Sequence, residues 1–179
     1  PTHVAAGVAL AAPLTWLAPE FAVAGALAGA AGGVLPDLDL LRGVHRRTLH
    51  YPVLYWLPAA AFAALAVASP AAWSVAGAVG FAAAAVHSGM DRFGAGDEPR
   101  PWERTSDRGV YLHVARRWLR PTYRVRYDGA PEDLLLALLF AVPGLVLFDP
   151  PVRAVTLVAL GAGVAYAAVR KRVPEYVDL

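Results

Sequence analysis

Six apolar stretches, Val4–Ala18, Phe21–Leu35, Pro52–Ser69, Ala71–Val86, Leu134–Phe148 and Val152–Val169, leave this chain few places to put polar surface. With 58% hydrophobic residues and a mean hydropathy of +0.46, a soluble domain could not cover itself with water-compatible side chains, so a lipid bilayer is the expected solvent. The expected fold class is therefore all-α: a polytopic membrane helix bundle of about six transmembrane helices with a short cytoplasmic insert. Several stretches fall short of the roughly 20 residues that a hydrocarbon core of about 30 Å requires, so the helices are expected to run into their polar flanks. No basic n-region or cleavage site marks a signal peptide, and the first segment is expected to be retained.

Pro19-Glu20, Ser69-Pro70 and Asp149-Pro150-Pro151 read as tight turns on one side of the bundle. Alternation then sends the amino terminus, the loop 36–51, the segment 87–133 and the tail 170–179 to the other side. All of the sixteen basic residues except Arg153 fall there, which makes that face cytoplasmic by the positive-inside rule. The layout divides one membrane domain, 1–179, into a four-helix half at 1–91, a basic insert at 92–132 and two C-terminal membrane helices at 133–179. Gly25, Gly29 and Gly33 recur every four residues in the second stretch, a spacing that lets a neighbouring backbone approach closely.

Within the insert, Val110–Leu119 reads as a short helix, with His113, Arg116, Arg117 and Arg120 on one face and Val110, Tyr111, Val114 and Trp118 on another. Such a helix is expected to lie against anionic lipid headgroups or to pack its apolar side on the bundle. No nucleic-acid reader motif accompanies the arginines, so membrane lipids are the expected partners.

The chemistry gathers at one end. His3 opens the first stretch, Asp37 and Asp39 close the second, His45 and His50 precede the third, and His87 and Asp91 close the fourth. Antiparallel packing brings these ends together. The four-residue spacing of His87 and Asp91 places both on one helical face, and Asp37 and Asp39, two apart after Pro36, point the same way if the turn is extended. Taken singly, each has a plainer reading: a turn aspartate for Asp37 or Asp39, a hydrogen-bonded interfacial histidine for His3 or His50. Their convergence at membrane depth points instead to a divalent metal, with zinc the first expectation and manganese or iron the others. The chain has no cysteine, which excludes disulfides, thiolate metal sites and cysteine nucleophiles. His-Glu-x-x-His, Gly-x-Ser-x-Gly and Walker-type loops are likewise missing from the sequence.

At these same positions the chain resembles the YdjM-like family of membrane-bound metal-dependent hydrolases of prokaryotic inner membranes. The resemblance rests on His3 with Gly7, on Gly32-Gly33-Val34-Leu35-Pro36-Asp37-Leu38-Asp39, on His45-Arg46-Arg47-Thr48-Leu49-His50 and on His87-Ser88-Gly89-Met90-Asp91, in that order along the first half. Where the family usually has Gly after the His-Arg pair and Thr before the second His, this chain has Arg47 and Leu49. The expected activity is hydrolysis of a phosphoester or related bond in a lipid or membrane-associated substrate, with Asp91 or Asp39 as base and Arg46 or Arg47 stabilising an anionic transition state. A cation transporter using the same ligands and a non-catalytic scaffold are the competing readings.

Overall fold

The computed structural model describes residues 1–176. Each of the six apolar stretches becomes helix. Pro13 divides the first into α1 (Thr2–Leu10) and the single turn α2 (Leu14–Leu17), because proline supplies no amide hydrogen to continue the ladder. The others are α3 (Pro19–Gly32), α4 (Trp56–Ala68), α5 (Ala72–Met90), α6 (Pro131–Val146) and α7 (Pro150–Val169). Pro19, Pro131 and Pro150 open α3, α6 and α7, where the missing amide hydrogen has no intrahelical partner to lose.

About six transmembrane helices were expected, and the helix lengths correct that. Among the described residues two segments are long and apolar enough to cross a membrane: α3 with the 3-10 turn that follows it, Pro19–Leu40, and α7 with its trailing turn, Pro150–Glu175. At 1.5 Å per residue, the 13 residues of α4 reach only about 20 Å against a core of about 30 Å. α6 is also short, at 16 residues, and carries Pro143 inside it. The third apolar stretch begins with turn residues, Pro52 and Val53, which the chain spends on the approach to α4 rather than on the helix.

α1 lies in the middle of the bundle, packed on α3, α5, α6 and α7, while α3 pairs with α5 and α4 covers α5. The core beneath is mostly alanine and valine, with Val8, Ala11, Ala26, Phe148 and Val152 nearly or fully buried. Close approach rather than side-chain bulk holds it together. A Cβ on Gly7 would run into the Gly29 carbonyl, one on Gly29 into the Gly7 carbonyl, and one on Gly32 into the Gly80 carbonyl. The sequence repeat of small residues therefore marks a real backbone contact, α1 against α3.

The insert corrects the sequence reading. Val110–Leu119 is a β-hairpin, β1 (Val110–Leu112) antiparallel to β2 (Arg117–Leu119), joined through a 3-10 turn at His113–Ala115. Val110, Tyr111 and Trp118 are β-branched or aromatic residues suited to strands, and Arg116 turns the chain in the left-handed region at φ 50°. Tyr111 and Trp118 pair across the strands with ring centroids 5.4 Å apart. No amphipathic helix exists there to lie on a membrane surface.

Candidate metal centre

All seven histidines and aspartates singled out from the sequence meet at one end of the bundle. His3 comes from the first turn of α1, His87 from the last turn of α5 and Asp91 from the 3-10 turn that extends it. Asp37 and Asp39 come from the 3-10 turn Leu35–Leu40, and His45 and His50 from the loop 41–55.

That 3-10 turn changes the geometry expected of Asp37 and Asp39. With three residues per turn, side chains two apart diverge instead of pointing the same way. They take opposite ends of the His50 ring: Asp39 Oδ2 lies 2.9 Å from Nδ1, and Asp37 Oδ1 lies 3.7 Å from Nε2. Asp39, 1% exposed, also holds His45 Nδ1 at 2.9 Å and accepts the Leu49 amide at 3.3 Å. Both of its oxygens sit behind imidazoles, fixing the rings so that each Nε2 is left to face elsewhere, the arrangement by which an outer carboxylate orients a histidine ligand. His87 is fixed in a second way, Nδ1 donating to the Gly33 carbonyl at 2.8 Å. Gly33 itself is pressed against the His3 backbone, which brings the two residues together, their ring centroids 3.8 Å apart.

What these devices leave pointing inward is a set of unsatisfied atoms. His50 Nε2, His87 Nε2 and Asp91 Oδ2 are buried and, among the described residues, have no hydrogen-bond partner. His50 Nε2 lies 2.9 Å from Asp91 Oδ2 without hydrogen-bond alignment, and His87 Nε2 lies 3.7 Å from the same oxygen and 3.3 Å from Asp37 Oδ1. Leaving such groups unpaired is costly, and a cation placed among them satisfies all three. His3, His87 and Asp91 offer one triad of donor atoms, and Asp37, His45 and His50 a second, each with its atoms within 4.8 Å of one another. These buried His/Asp groups could hold a metal ion.

Opposite charges in the cluster support one another. Burial works against the imidazolium of His50, but Asp39 and Asp91 outweigh it and push the group up to about 9. Burial likewise opposes the charge of Asp91, yet His87, His50 and Arg46 hold its carboxyl below the usual carboxylate range. A proton on His50 is thus competing for the position a metal would take.

Arg46 stands in the left-handed region at φ 59°, a conformation a non-glycine residue adopts at a cost. Its NH1 donates to the Ala95 and Gly109 carbonyls, and its own carbonyl accepts the Tyr111 amide at 2.9 Å. The hairpin is in this way clamped onto the histidine loop, with the Arg47 guanidinium 4.6 Å from the Tyr111 ring centroid. His113 stays outside the cluster, stacked on Tyr51 at 4.3 Å.

A cavity of about 450 Å³ opens over Asp37, His45 and Asp91 and is walled on its far side by Asp128, Asp133 and Tyr166. Those last three belong to the C-terminal half and were not anticipated. The polar group Asp128, Glu132 and Asp133 at the head of α6 was the available signal, since α6 begins on the same side as the histidines. No protein-family model, curated protein or solved structure matches this chain.

Proposed function

We propose that this chain is a membrane-embedded, metal-dependent hydrolase of a lipid or membrane-associated phosphoester. The observation that carries the reading is the convergence of His50 Nε2, His87 Nε2 and Asp91 Oδ2, buried and without hydrogen-bond partners among the described residues. A divalent ion held there, zinc first, supplies a water of lowered pKa and a Lewis acid for the phosphoryl group. The rest falls to this chain's side chains. The base role expected of Asp91 or Asp39 passes to Asp37, 42% exposed and facing the cavity, because Asp39 is 1% exposed behind His45 and His50 and Asp91 Oδ2 is buried among the converging donor atoms. Arg46, on the cavity wall, faces the charge that grows on the phosphoryl oxygens. The water oxygen bonds to phosphorus, the ester P–O bond breaks, and the alkoxide leaves as an alcohol with the proton that Asp37 accepted, which restores the carboxylate. The order of motifs resembling YdjM-like hydrolases supports the same class.

Membrane residence is supported by what the bundle exposes. α7 turns Leu157, Val158 and Val164 outward, and α4 turns Leu57 and Val67 outward, at 57 to 84% exposure, a surface suited to acyl chains. In this reading α3 and α7 cross the membrane, the shorter helices pack against them, and the arginine-bearing end with the metal centre faces the cytoplasm of a prokaryotic cell. Transport fits less well: the buried hydroxyls of Ser74, Ser88 and Thr156 are each bonded to a carbonyl of their own helix, so they line no polar path.

The protein in nanodiscs with zinc or manganese should hydrolyse p-nitrophenyl phosphate. A chelator should stop it, and Arg46→Ala should slow kcat by on the order of 100-fold. Turnover indifferent to chelator and to Arg46 would contradict the assignment.

A further inference from the structure

A second cavity, of about 440 Å³, shares His3, Arg46 and Asp91 with the metal centre and runs away from it between the end of α5, the insert and α6. Its volume is that of a small-molecule site. Its lining joins six apolar side chains, Met90, Phe93, Val125, Leu135, Leu136 and Phe140, to the groups it shares with the metal centre and to Arg124 and three further acids.

Of the four acids that line it, Asp91 belongs to the metal centre and the other three are already engaged. Asp133 accepts from Thr2 at 2.6 Å and from the Gly129 amide at 2.8 Å, Asp128 is held by Tyr166 and by Arg170 at 3.0 Å, and Glu132 by Arg126 at 2.8 Å. Arg46 and Arg124 have no carboxylate within ion-pair distance among the described residues. Arg46, bonded to the Ala95 and Gly109 carbonyls, and Arg124 are the cations of this lining left without a carboxylate, and once a metal held Asp91 an incoming anion would find these two guanidinium groups. Phe93 and Leu135 line the cavity and are also 45% and 57% exposed, so its apolar rim opens on the same outward face of α6 that carries Leu138, Leu139 and Val142.

We infer that this cavity binds the hydrocarbon tail of an anionic phospholipid-type amphiphile, with the phosphate at Arg46 and Arg124 beside His3 and Asp91, and entry from the bilayer between Phe93 and Leu135. The inference deepens the hydrolase reading and rests on it for the reacting end: it names the substrate as a phosphate ester carrying a long apolar chain. A water-soluble phosphoester would leave the apolar wall empty, and a cationic amphiphile would meet Arg46 and Arg124.

The test uses the full chain in phosphatidylcholine nanodiscs and a twelve-carbon alkylphosphonate bearing a terminal diazirine. Irradiation should label Met90 and residues 135–140, and excess dodecylphosphonate should compete while dodecyltrimethylammonium should not. Leu136→Trp, which fills the slot, should cut this labelling by roughly ten-fold or more, since the burial of even a few methylenes is at stake. Arg124 is exposed, so Arg124→Glu tests the head of the site without disturbing the core, and should cut labelling by about ten-fold. Labelling spread evenly over the outward face of α7, unaffected by both variants or displaced equally by the ammonium, would overturn the proposal. Because labelling needs no turnover, the two readings fail separately. Specific labelling without p-nitrophenyl phosphate hydrolysis removes the enzyme and keeps the lipid site; hydrolysis without specific labelling does the reverse.

Discussion

Replacing His87 by alanine is expected to lower the affinity for a divalent metal by on the order of 100-fold or more, because it removes a buried ligand whose ring the fold has already oriented. His87 Nδ1 is committed to the Gly33 carbonyl, so Nε2 has one direction available, toward Asp37 and Asp91. Asp39→Asn should give a smaller loss, roughly 10- to 100-fold, because Asp39 acts through His45 and His50 from behind the rings. His113→Ala, stacked on Tyr51 outside the cluster, should leave metal affinity unchanged. Equilibrium metal titration of the four proteins checks the series. Equal affinities for wild type and His87→Ala would remove His87 from the ligand set.

Gly29→Leu should destabilise the bundle by about 3 kcal/mol or more, at the upper end of what overpacking costs. The usual relief for an added side chain is movement of a neighbouring side chain, but here the neighbour is the Gly7 carbonyl, which cannot yield unless α1 leaves α3. α1 carries His3, so the same displacement should weaken metal binding from a position remote from the ligands. Gly161→Ala is the matched control: nothing lies within 4 Å of the added methyl, and a helix interior gains roughly 0.5–1 kcal/mol from losing a glycine. Denaturant unfolding in micelles distinguishes them, and comparable stabilities would mean that the contact between α1 and α3 is not what holds the bundle.

The parts legible in the sequence were those set by burial and by spacing along a single element. Every apolar run became helix, the first divided at Pro13, the four-residue spacing of His87 and Asp91 placed both on one face, and the glycine repeat in α3 marked the surface that meets α1. Convergence of the histidines and aspartates followed from topology alone, since helix ends on one side of a bundle must lie near one another. What could not be read depended on backbone conformation or on contacts between distant segments. Val110–Leu119 satisfies a helical and a strand pattern at once, and only the left-handed turn at Arg116 with the pairing of Tyr111 and Trp118 decides it. The divergence of Asp37 from Asp39 follows from a 3-10 turn that their spacing after Pro36 does not specify. Clamping of Arg46 by the carbonyls of Ala95 and Gly109 joins residues 49 and 63 positions apart, beyond the reach of any local pattern. Helix length was overestimated because turn prolines and valines are as apolar as the helices they flank.

The central claim is that the buried histidines and aspartates hold a metal, and X-ray absorption of the purified, metal-loaded protein tests it most directly. The expected spectrum shows at least one transition metal per chain with nitrogen and oxygen neighbours at about 2.0–2.2 Å, outer scattering from imidazole rings and no sulfur shell. Loss of the imidazole scattering in His87→Ala should accompany loss of the metal. A protein that retains no metal after loading, or whose metal shows no imidazole in its coordination shell, would contradict the account.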